Sequence, residues 1–478
     1  MMSTLNTDVD LARARQADEK ANKAYGEKLK HLKEDIPWTL GNAITKGGWK
    51  TKVSMLIMGF GNILHGQIVK GLAWLATQIF FIVYMINYGV ESLMLFPTLG
   101  WLEPVEVWNE QTMVYEYTPG HNSVLILLWG IISVAFIVLF FYVWKSSVQS
   151  AYKAEFVKKE GFKPNTLVED IKGLLDERIE QFLLSLPLTG TIVFSILPLL
   201  FMMLMAFTSY SAENNQLLLF DWVGFDNFGR VLSTTNSIGR SFWPVLGWTL
   251  IWAFFATVLN FFLGIGLALL INRNRTRAKA LWRTAFTLTI AVPQFISLLV
   301  VRQMLSRTGP VNLWLINSGL IDSALPFWSN ANWARVTVIV VNIWVGIPYT
   351  LLQVTGILQN FPEEYWEAAK IDGANAWQQF RHITFPHILQ IMGPFLITQF
   401  TGNVNNFNVI FLLTGGGPPR AGSTAGYTDL LVTWLYSLTI DNRFYNIGAV
   451  VGILTFIALS IVALSLYRFT DTYKREKR

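Results

Sequence analysis

Long apolar runs constrain this chain more than any other feature. A helix needs about 20 mostly apolar residues to cross the roughly 30 Å of hydrocarbon in a bilayer. Eight stretches approach or exceed that length, at residues 69–88, 123–144, 186–208, 245–271, 284–304, 335–357, 388–413 and 445–467. Because backbone polar groups must be satisfied inside the segment in lipid, the sequence predicts an all-α, polytopic membrane protein with about eight transmembrane helices.

Composition excludes several other classes of protein. Only 14% of the 478 residues are charged and 52% are hydrophobic, whereas an average soluble protein is roughly 25% charged. A soluble enzyme of this size would lack a charged surface, and a disordered chain would lack this much apolar residue content. The absence of cysteine excludes a disulfide framework, a Cys-ligated metal site and a thiol nucleophile.

The basic residues indicate how the chain is oriented. Thirty of the 37 Lys and Arg residues lie in the alternate segments 1–70, 145–185, 272–283, 358–387 and 468–478. The loop 89–122 contains no Lys or Arg and five Glu. The positive-inside rule then places both termini in the cytoplasm of a multi-pass protein of the bacterial plasma membrane. The net charge of +6 reflects this topology, so we expect no nucleic-acid partner.

The same pattern predicts the organisation of the chain. A short apolar run at residues 54–64 cannot span and is expected to be interfacial or re-entrant. Thr166 and Glu169 have the spacing of a capping box at the start of an amphipathic helix over 166–184. The predicted regions are a cytoplasmic tail at 1–53, two spans within 54–145, a basic and amphipathic cytoplasmic segment at 146–185, a six-span core at 186–470, and a second tail at 471–478.

Several functional motifs are missing from the sequence. There is no GxxxxGK[ST] phosphate-binding loop and no G-x-S-x-G elbow, and the five His residues are dispersed. The middles of the eight predicted spans contain no Asp, Glu, Lys or Arg, which disfavours proton coupling. We therefore expect no catalytic residues, no cofactor and no metal site.

A polar stretch at residues 360–389 predicts a short helix–turn–helix between two spans. Pro362 and the two Glu residues that follow it suit a helix N-terminus. Gly373 permits a tight turn, a second helix begins near Ala376, and Pro386 precedes the seventh span. An ordinary surface loop is the alternative.

The residues of this stretch resemble a family motif. Glu367-Ala368-Ala369, Gly373 and Ile383-Thr384-Phe385-Pro386 match EAA-x3-G-x9-I-x-L-P, the motif of ABC-importer permeases, with Phe385 in place of Leu. The resemblance implies a type I permease core whose loop docks on an ATP-binding subunit. We call residues 360–387 the EAA loop. The coupling residues that it implies are Glu367, Ala368, Ala369, Asp372, Gly373 and Pro386.

A second resemblance concerns residues 405–432, NNFNVIFLLTGGGPPRAGSTAGYTDLLV. This stretch is similar to the maltose/maltodextrin permeases, and the similarity extends over about 186–468. One departure is the connection between the third and fourth spans. The enterobacterial members carry a large folded domain there, whereas this chain has only residues 209–244.

Polar side chains at membrane depth are the candidate substrate site, because such residues are costly unless they bind something. Gln399, Asn403 and Asn406 follow i, i+4, i+7 spacing and are expected to share one helical face. Interhelical hydrogen bonding is the alternative role for these side chains. The family resemblance implies that Gly346, Tyr349, Asn403 and Asn406 line a sugar site, whereas Gln399 stands where that family has a smaller hydroxyl residue.

These residues favour a neutral ligand rich in hydroxyl groups, since amides and a phenol can hydrogen-bond it and an aromatic ring can stack on it. The sequence thus indicates an ABC-importer permease subunit for a neutral oligosaccharide, with maltose or maltodextrin expected first. The alternatives are a permease for another carbohydrate and a secondary carrier. The expected partners are a second homologous permease, two ATP-binding cassette subunits, an extracytoplasmic sugar-binding protein and membrane lipid.

Overall fold

The computed structural model describes residues 38–110, 113–118, 120–176, 178–273 and 275–468. The chain divides into two compact units between Phe201 and Met202. Most of the predicted N-terminal tail and all of the tail at 471–478 lie outside the described residues. The predicted domain boundaries at 53, 145, 185 and 470 stay a prediction.

The N-terminal unit consists of helices and one hairpin. Its elements are helices Leu40–Lys46, Trp49–Val53, Phe60–Leu64, Ile68–Tyr84, Met85–Gly89 (a π-helical turn) and Val90–Leu95, strands Val105–Asn109 and Val114–Thr118, and helices Ser123–Lys159, Leu167–Leu175, Ile179–Thr191 and Ile192–Ile196 (π-helical). Helix Leu197–Met205 continues the last of these across the division of the chain.

Local signals explain much of this unit. The capping box at Thr166 and Glu169 forms, with the Thr166 N–H donating to Glu169 Oε2 at 2.7 Å. The helix that it starts is shorter than predicted, because it ends at Leu175 and a new helix begins at Ile179. The run 54–64 forms no helix of spanning length, since Gly59 adopts φ +82° between two five-residue helices.

The acidic loop 89–122 contains the only strands among the described residues. Val105–Asn109 pairs antiparallel with Val114–Thr118, with Val105 opposite Thr118. We had no expectation of strands here. Alternating Val, Trp and Tyr residues are typical of a strand, and they are the local signal for it.

The C-terminal unit carries most of the long helices. Its elements are Ala212–Asn214 (3₁₀), Asp226–Leu232, Ser237–Asn272, Lys279–Ala291, Gln294–Met304, Pro310–Asn317, Ala331–Gln359, Glu364–Ile371, Ala376–Gln379, Phe380–Thr384 (π-helical), Phe385–Val404, Phe407–Leu413, Leu431–Tyr436, Ser437–Asp441 (π-helical) and Tyr445–Arg468.

Six described helices are long and apolar enough to cross a membrane: Ile68–Leu95, Ser123–Lys159, Ile179–Met205, Ser237–Asn272, Ala331–Gln359 and Tyr445–Arg468. The predicted fifth span is a helix pair bent by 90° at Val292 and Pro293, which would make seven. Pro293, which has no backbone N–H to continue the helix, lies at this break. We refer to these helices as the first to fourth, the broken fifth, the sixth and the eighth spans.

The predicted seventh span is not one continuous helix. It consists of Phe385–Val404 and Phe407–Leu413, which are separated at Asn405, and neither is among the six spanning candidates. Polar residues such as Gln390, Gln399 and Asn403 lower the apolar character of this segment. We call Phe385–Val404 the seventh-span helix.

The core of the C-terminal unit forms around the fourth span. Ser237–Asn272 packs along Ala331–Gln359 and also contacts the seventh-span helix. Trp252, Leu298 and Val338 are fully buried in one of its apolar clusters. Large apolar side chains on the opposite faces of the spans are exposed, as expected of surfaces that meet lipid. The all-α prediction is confirmed.

Candidate coupling loop and intramembrane polar site

The EAA loop forms the predicted helix–turn–helix. Helix Glu364–Ile371 ends at Asp372, and Gly373 adopts φ +77°, a conformation that glycine accepts without strain. The Gly373 N–H donates to the Lys370 carbonyl at 3.1 Å, which closes the turn. These contacts explain why the chain can reverse direction within so few residues.

The second helix of the loop starts at a capping box that we had not identified. The Asn375 N–H donates to Gln378 Oε1 at 2.8 Å, and the Gln378 N–H donates to Asn375 Oδ1 at 2.9 Å. An Asn followed three residues later by Gln is the local signal for this cap. The helix Ala376–Gln379 then runs through one π-helical turn into the seventh-span helix, whose first turn contains Pro386.

An aromatic cluster ties the loop to the start of that helix. The Phe361 ring lies 4.7 Å from the Trp366 ring and 4.7 Å from the His387 ring, measured between centroids. The Trp366 Nε1–H donates to Thr384 Oγ1 at 3.1 Å. Residues at both ends of the loop are therefore joined to each other and to the start of the seventh-span helix.

The outer surface of the loop is exposed. Five of the six predicted coupling residues are exposed: Glu367, Ala368, Asp372, Gly373 and Pro386. Ala369 is buried beneath them at 8% exposure. Ile371 is 86% exposed and Trp377 is 66% exposed, which are large values for apolar side chains in a polar loop. Exposed apolar groups rimmed by polar residues are typical of a protein–protein contact.

The predicted substrate residues have different surroundings from one another. Asn403 is buried, and its Nδ2 donates to Thr257 Oγ1 in the fourth span at 2.9 Å. Its carbonyl accepts from the Trp252 Nε1–H at 3.0 Å. These are the interhelical hydrogen bonds of the alternative role, and they fix the seventh-span helix against the fourth span.

Asn406 lies beyond the end of the seventh-span helix. Its Oδ1 accepts from the Val409 N–H at 3.2 Å, so it caps the helix Phe407–Leu413. Its Nδ2 donates to Asn342 Oδ1 in the sixth span at 3.4 Å. The expectation that Gln399, Asn403 and Asn406 share one helical face is therefore wrong for Asn406, because the helix ends at Val404.

Gly346 lies where the fourth and sixth spans approach closely. A Cβ built at Gly346 would lie 2.6 Å from Asn260 Oδ1, and a Cβ built at Gly264 would lie 2.5 Å from Thr350 Cβ. Each helix thus contributes one glycine and one polar residue, spaced by four positions. Small residues of this kind let two membrane helices pack backbone to backbone.

Tyr349 lines a small cleft beside the break in the fifth span. The cleft is also lined by Thr289, Ile290, Val292, Gln294, Ser297, Trp344 and Val345. Tyr349 and Trp344 are each 49% exposed. Sequence reasoning missed Trp344 and the polar residues of the fifth span, although the break at Pro293 was a signal for them. No hydrogen bond between Tyr349 and Asn406 is found among the described residues.

Three buried acceptors near these residues have no hydrogen-bond partner in the described part of the chain. They are Asn260 Oδ1, Thr350 Oγ1 and Gln399 Oε1. Buried polar atoms are usually satisfied, and each orphan costs free energy. A ligand or water that donates hydroxyl hydrogens would satisfy them.

The segment after Phe407–Leu413 contains a buried carboxylate that sequence reasoning also missed. Asp429 accepts from the Gly426 N–H and from the Thr433 Oγ1–H, each at 2.7 Å. Burial raises the pKa of Asp429, and these two hydrogen bonds oppose the change. Arg335 donates to the Tyr427 carbonyl at 2.9 Å in the same segment. These contacts order the GGP and AGYTDLLV stretches.

A family profile described as "Binding-protein-dependent transport system inner membrane component" matches residues 260–475. Over nearly its full length the chain is 35% identical to the galactooligosaccharides transport system permease protein GanP of Bacillus subtilis (strain 168), with 88% of this chain and 97% of GanP covered. This chain belongs to the binding-protein-dependent transport permeases. The family resemblance of the EAA loop is thereby confirmed.

Two further comparisons broaden this result. The maltodextrin transport system permease protein MdxF of the same organism is 34% identical, with 90% of this chain and 96% of MdxF covered. A crystal structure of a bacterial alginate ABC transporter in complex with an alginate pentasaccharide-bound periplasmic protein has a matching chain, with a TM-score of 0.51 and 22% identity. It covers 62% of this chain and 94% of that chain, and it shows the fold of the permease core.

Proposed function

We propose that this chain is the permease subunit of an ATP-driven importer for a neutral oligosaccharide. The observation that carries the proposal is the match in family and length to permeases for galactooligosaccharides and maltodextrin. A second homologous permease would complete the translocation pathway. An extracytoplasmic sugar-binding protein would deliver the substrate.

The importer would contain two ATP-binding cassette subunits. The EAA loop of this chain would contact one of them directly. Its exposed face carries Glu367 and Asp372 next to the exposed side chain of Ile371. A partner that covers this face would bury apolar surface and meet negative charge. The junction of the loop with the seventh-span helix would pass movement of the partner to the spans.

The sugar is proposed to bind near Tyr349, Gly346 and Asn406, with Trp344 as an additional stacking surface. The neutral polar residues that line the cleft and the half-exposed aromatic rings support a ligand that carries hydroxyl groups. A carboxylate or phosphate ligand would need Arg or Lys at membrane depth, and the described residues of the cleft include neither. Maltodextrins and galacto-oligosaccharides both fit this chemistry.

The test is a substrate panel on the complex reconstituted with its partner subunits. We expect maltodextrins or galacto-oligosaccharides to stimulate ATP hydrolysis and uptake, and uronide oligomers to have no effect. Stimulation by uronides alone would contradict the neutral site. Uptake by the chain without ATPase subunits would favour the secondary carrier.

The proposed orientation has its own test, which the absence of cysteine makes simple. A single Cys at Glu106, on the exposed strand Val105–Asn109, is expected to react with an impermeant thiol reagent in intact cells. A single Cys at the exposed Lys158 is expected to react only after the cells are opened. The reverse pattern would contradict cytoplasmic termini.

A further inference from the structure

A basic pocket, which we call the cavity, lies within the N-terminal unit. It is open to the surface, has a volume of about 390 Å³ and is lined by Gly48, Trp49, Lys50, His65, Glu155, Lys158 and Lys159. Lys158 and Lys159 form the last turn of the helix Ser123–Lys159, and Trp49 and Lys50 begin the short helix Trp49–Val53. With His65, which follows the helix Phe60–Leu64, the cavity is built from three separate helices of one unit.

Glu155, the one carboxylate among the residues that line the cavity, already has hydrogen-bond and ion-pair partners. Glu155 accepts from the Gly48 N–H at 2.9 Å and from the Thr51 Oγ1–H at 2.6 Å. It also forms an ion pair with Lys159 at 2.6 Å. Lys50 and Lys158 form no ion pair with any described residue. Among the described residues, the cavity therefore carries positive charge that no carboxylate compensates.

His65 adds a buried polar group without a partner. The residue is only 8% exposed, and neither ring nitrogen has a hydrogen-bond partner among the described residues. Burial, followed by the charge of Lys50, lowers the pKa of His65. A neutral imidazole offers one N–H donor and one acceptor, so an oxygen atom that enters the cavity would satisfy the donor.

The surroundings of the cavity are those of a membrane–water boundary. Trp49 is 63% exposed, and the turn that follows its helix exposes Leu56 at 78% and Ile57 at 45%. Trp, together with Lys beside exposed aliphatic residues, is typical of the headgroup level of a bilayer. The first-span helix begins nearby in sequence, at Ile68.

We propose that this cavity binds the phosphate group of an anionic phospholipid. Lys50 and Lys158 would pair with the phosphate oxygens, and Trp49 with Leu56 would contact the glycerol and upper acyl chains. Basic cavities at the ends of membrane helices are suited to such headgroups. Inorganic phosphate shares the same charged group but lacks the apolar part that Trp49 and Leu56 would contact.

The experiment uses the full chain in detergent and counts bound lipids by native mass spectrometry. Dioleoylphosphatidylglycerol is the probe, and dioleoylphosphatidylcholine is the zwitterionic comparison. We expect one tightly retained phosphatidylglycerol and no equivalent phosphatidylcholine. Lys50→Gln and Lys158→Gln are each expected to weaken retention about fivefold, since each removes one lysine near the headgroup.

Lys52→Gln is the matched control. Lys52 is exposed on the same short helix as Lys50 but does not line the cavity. This variant removes the same charge, and we expect retention to be unchanged. An equal loss in Lys52→Gln, or equal retention of the two lipids, would overturn the proposal. So would full displacement of the lipid by an equimolar amount of inorganic phosphate, because the occupant would then be free phosphate.

Discussion

The EAA loop and the region around the end of the seventh-span helix use polar residues in opposite ways. In the loop, Glu367 and Asp372 point away from the chain and Ile371 is almost fully exposed. At the other end of the same helix, Asn403 and Asn406 hydrogen-bond to the fourth and sixth spans. The loop thus exposes its charged side chains, whereas the asparagines form hydrogen bonds between spans of this chain.

The difference changes how a substitution in each region should be interpreted. Loss of an exposed side chain in the loop, such as that of Glu367, would remove the proposed contact with a partner and is expected to leave the fold of the chain intact. Loss of an intramembrane asparagine removes a bond between spans, whether or not the residue also touches substrate. Transport defects from the second region therefore need a separate measurement of assembly.

The largest effect is expected from Gly373→Pro. Proline fixes φ near −65°, whereas Gly373 lies at +77°, so the turn between the two loop helices cannot form. Sugar-stimulated ATP hydrolysis by the reconstituted complex should be abolished, while membrane insertion of the chain should be normal. Gly373→Asn is the matched control, because Asn tolerates positive φ better than other residues do, and it should retain most of the activity.

The Gly373 pair tests the loop side of the comparison directly. Normal stimulated ATP hydrolysis in Gly373→Pro, measured on a complex shown to be assembled, would remove the loop from coupling. An equal loss in Gly373→Asn would indicate that the side chain, and not the backbone conformation, is the cause.

Asn406→Leu should nearly stop sugar uptake. The change deletes the donor to Asn342 and the acceptor for the Val409 N–H, and each lost hydrogen bond contributes on the order of 1 kcal/mol. Asn406→Ser keeps a capping oxygen and deletes the amide donor without adding a charge, so it separates the two roles. Basal ATP hydrolysis should survive in both variants, since the EAA loop is unchanged. If the variants lose both basal ATP hydrolysis and assembly of the complex, Asn406 only holds the spans together.

Gly346→Ala should destabilise the purified chain by roughly 1–3 kcal/mol, the usual cost of overpacking. The new methyl group would meet the Asn260 side chain within 2.6 Å. Gly356→Ala is the control in the same helix, because a Cβ there meets nothing within 4 Å, and alanine is the better helix former. Thermal unfolding in detergent measures both variants. Equal melting temperatures would contradict close packing of the fourth and sixth spans.

Tyr349→Phe should have the smallest effect. It keeps the ring that lines the cleft and removes only the hydroxyl group, which is worth about 1 kcal/mol if it bonds the sugar. The sugar concentration for half-maximal stimulation of ATP hydrolysis should rise about fivefold, with the maximal rate little changed. An unchanged concentration would mean that the hydroxyl does not bond the sugar, and Tyr349→Ala would then test the ring.

The sequence predicted best those elements that local residues determine. The turn at Gly373 and the helix that starts at Thr166 depend on neighbours within four positions, so their patterns were sufficient. The apolar runs predicted the long helices for the same reason. The break in the fifth span also has a local cause, since Pro293 cannot donate a backbone hydrogen bond.

The end of the seventh-span helix at Val404 could not be predicted in this way. No Gly or Pro lies between Val404 and Phe407, and apolar residues resume after Asn405 and Asn406 and continue, apart from Asn408, to Leu413. The chain leaves the helix where Asn406 can cap a new helix and reach Asn342, which is 64 positions away. Such a bond depends on tertiary packing. The contacts of Asn403 and Gly346 depend on it too, so local sequence patterns could not predict them.

The break in the fifth span has a consequence for hydration. Val292 and Pro293 are extended, so the carbonyls that end one helix and the N–H groups that begin the next lack their usual intrahelical partners. Lipid cannot satisfy them, and such backbone persists at membrane depth only beside protein or a water-filled cavity. We therefore expect ordered water in the cleft beside Tyr349. The hydroxyl groups of a sugar that enters would replace those waters as hydrogen-bond partners of the backbone. No side-chain substitution can delete these backbone groups.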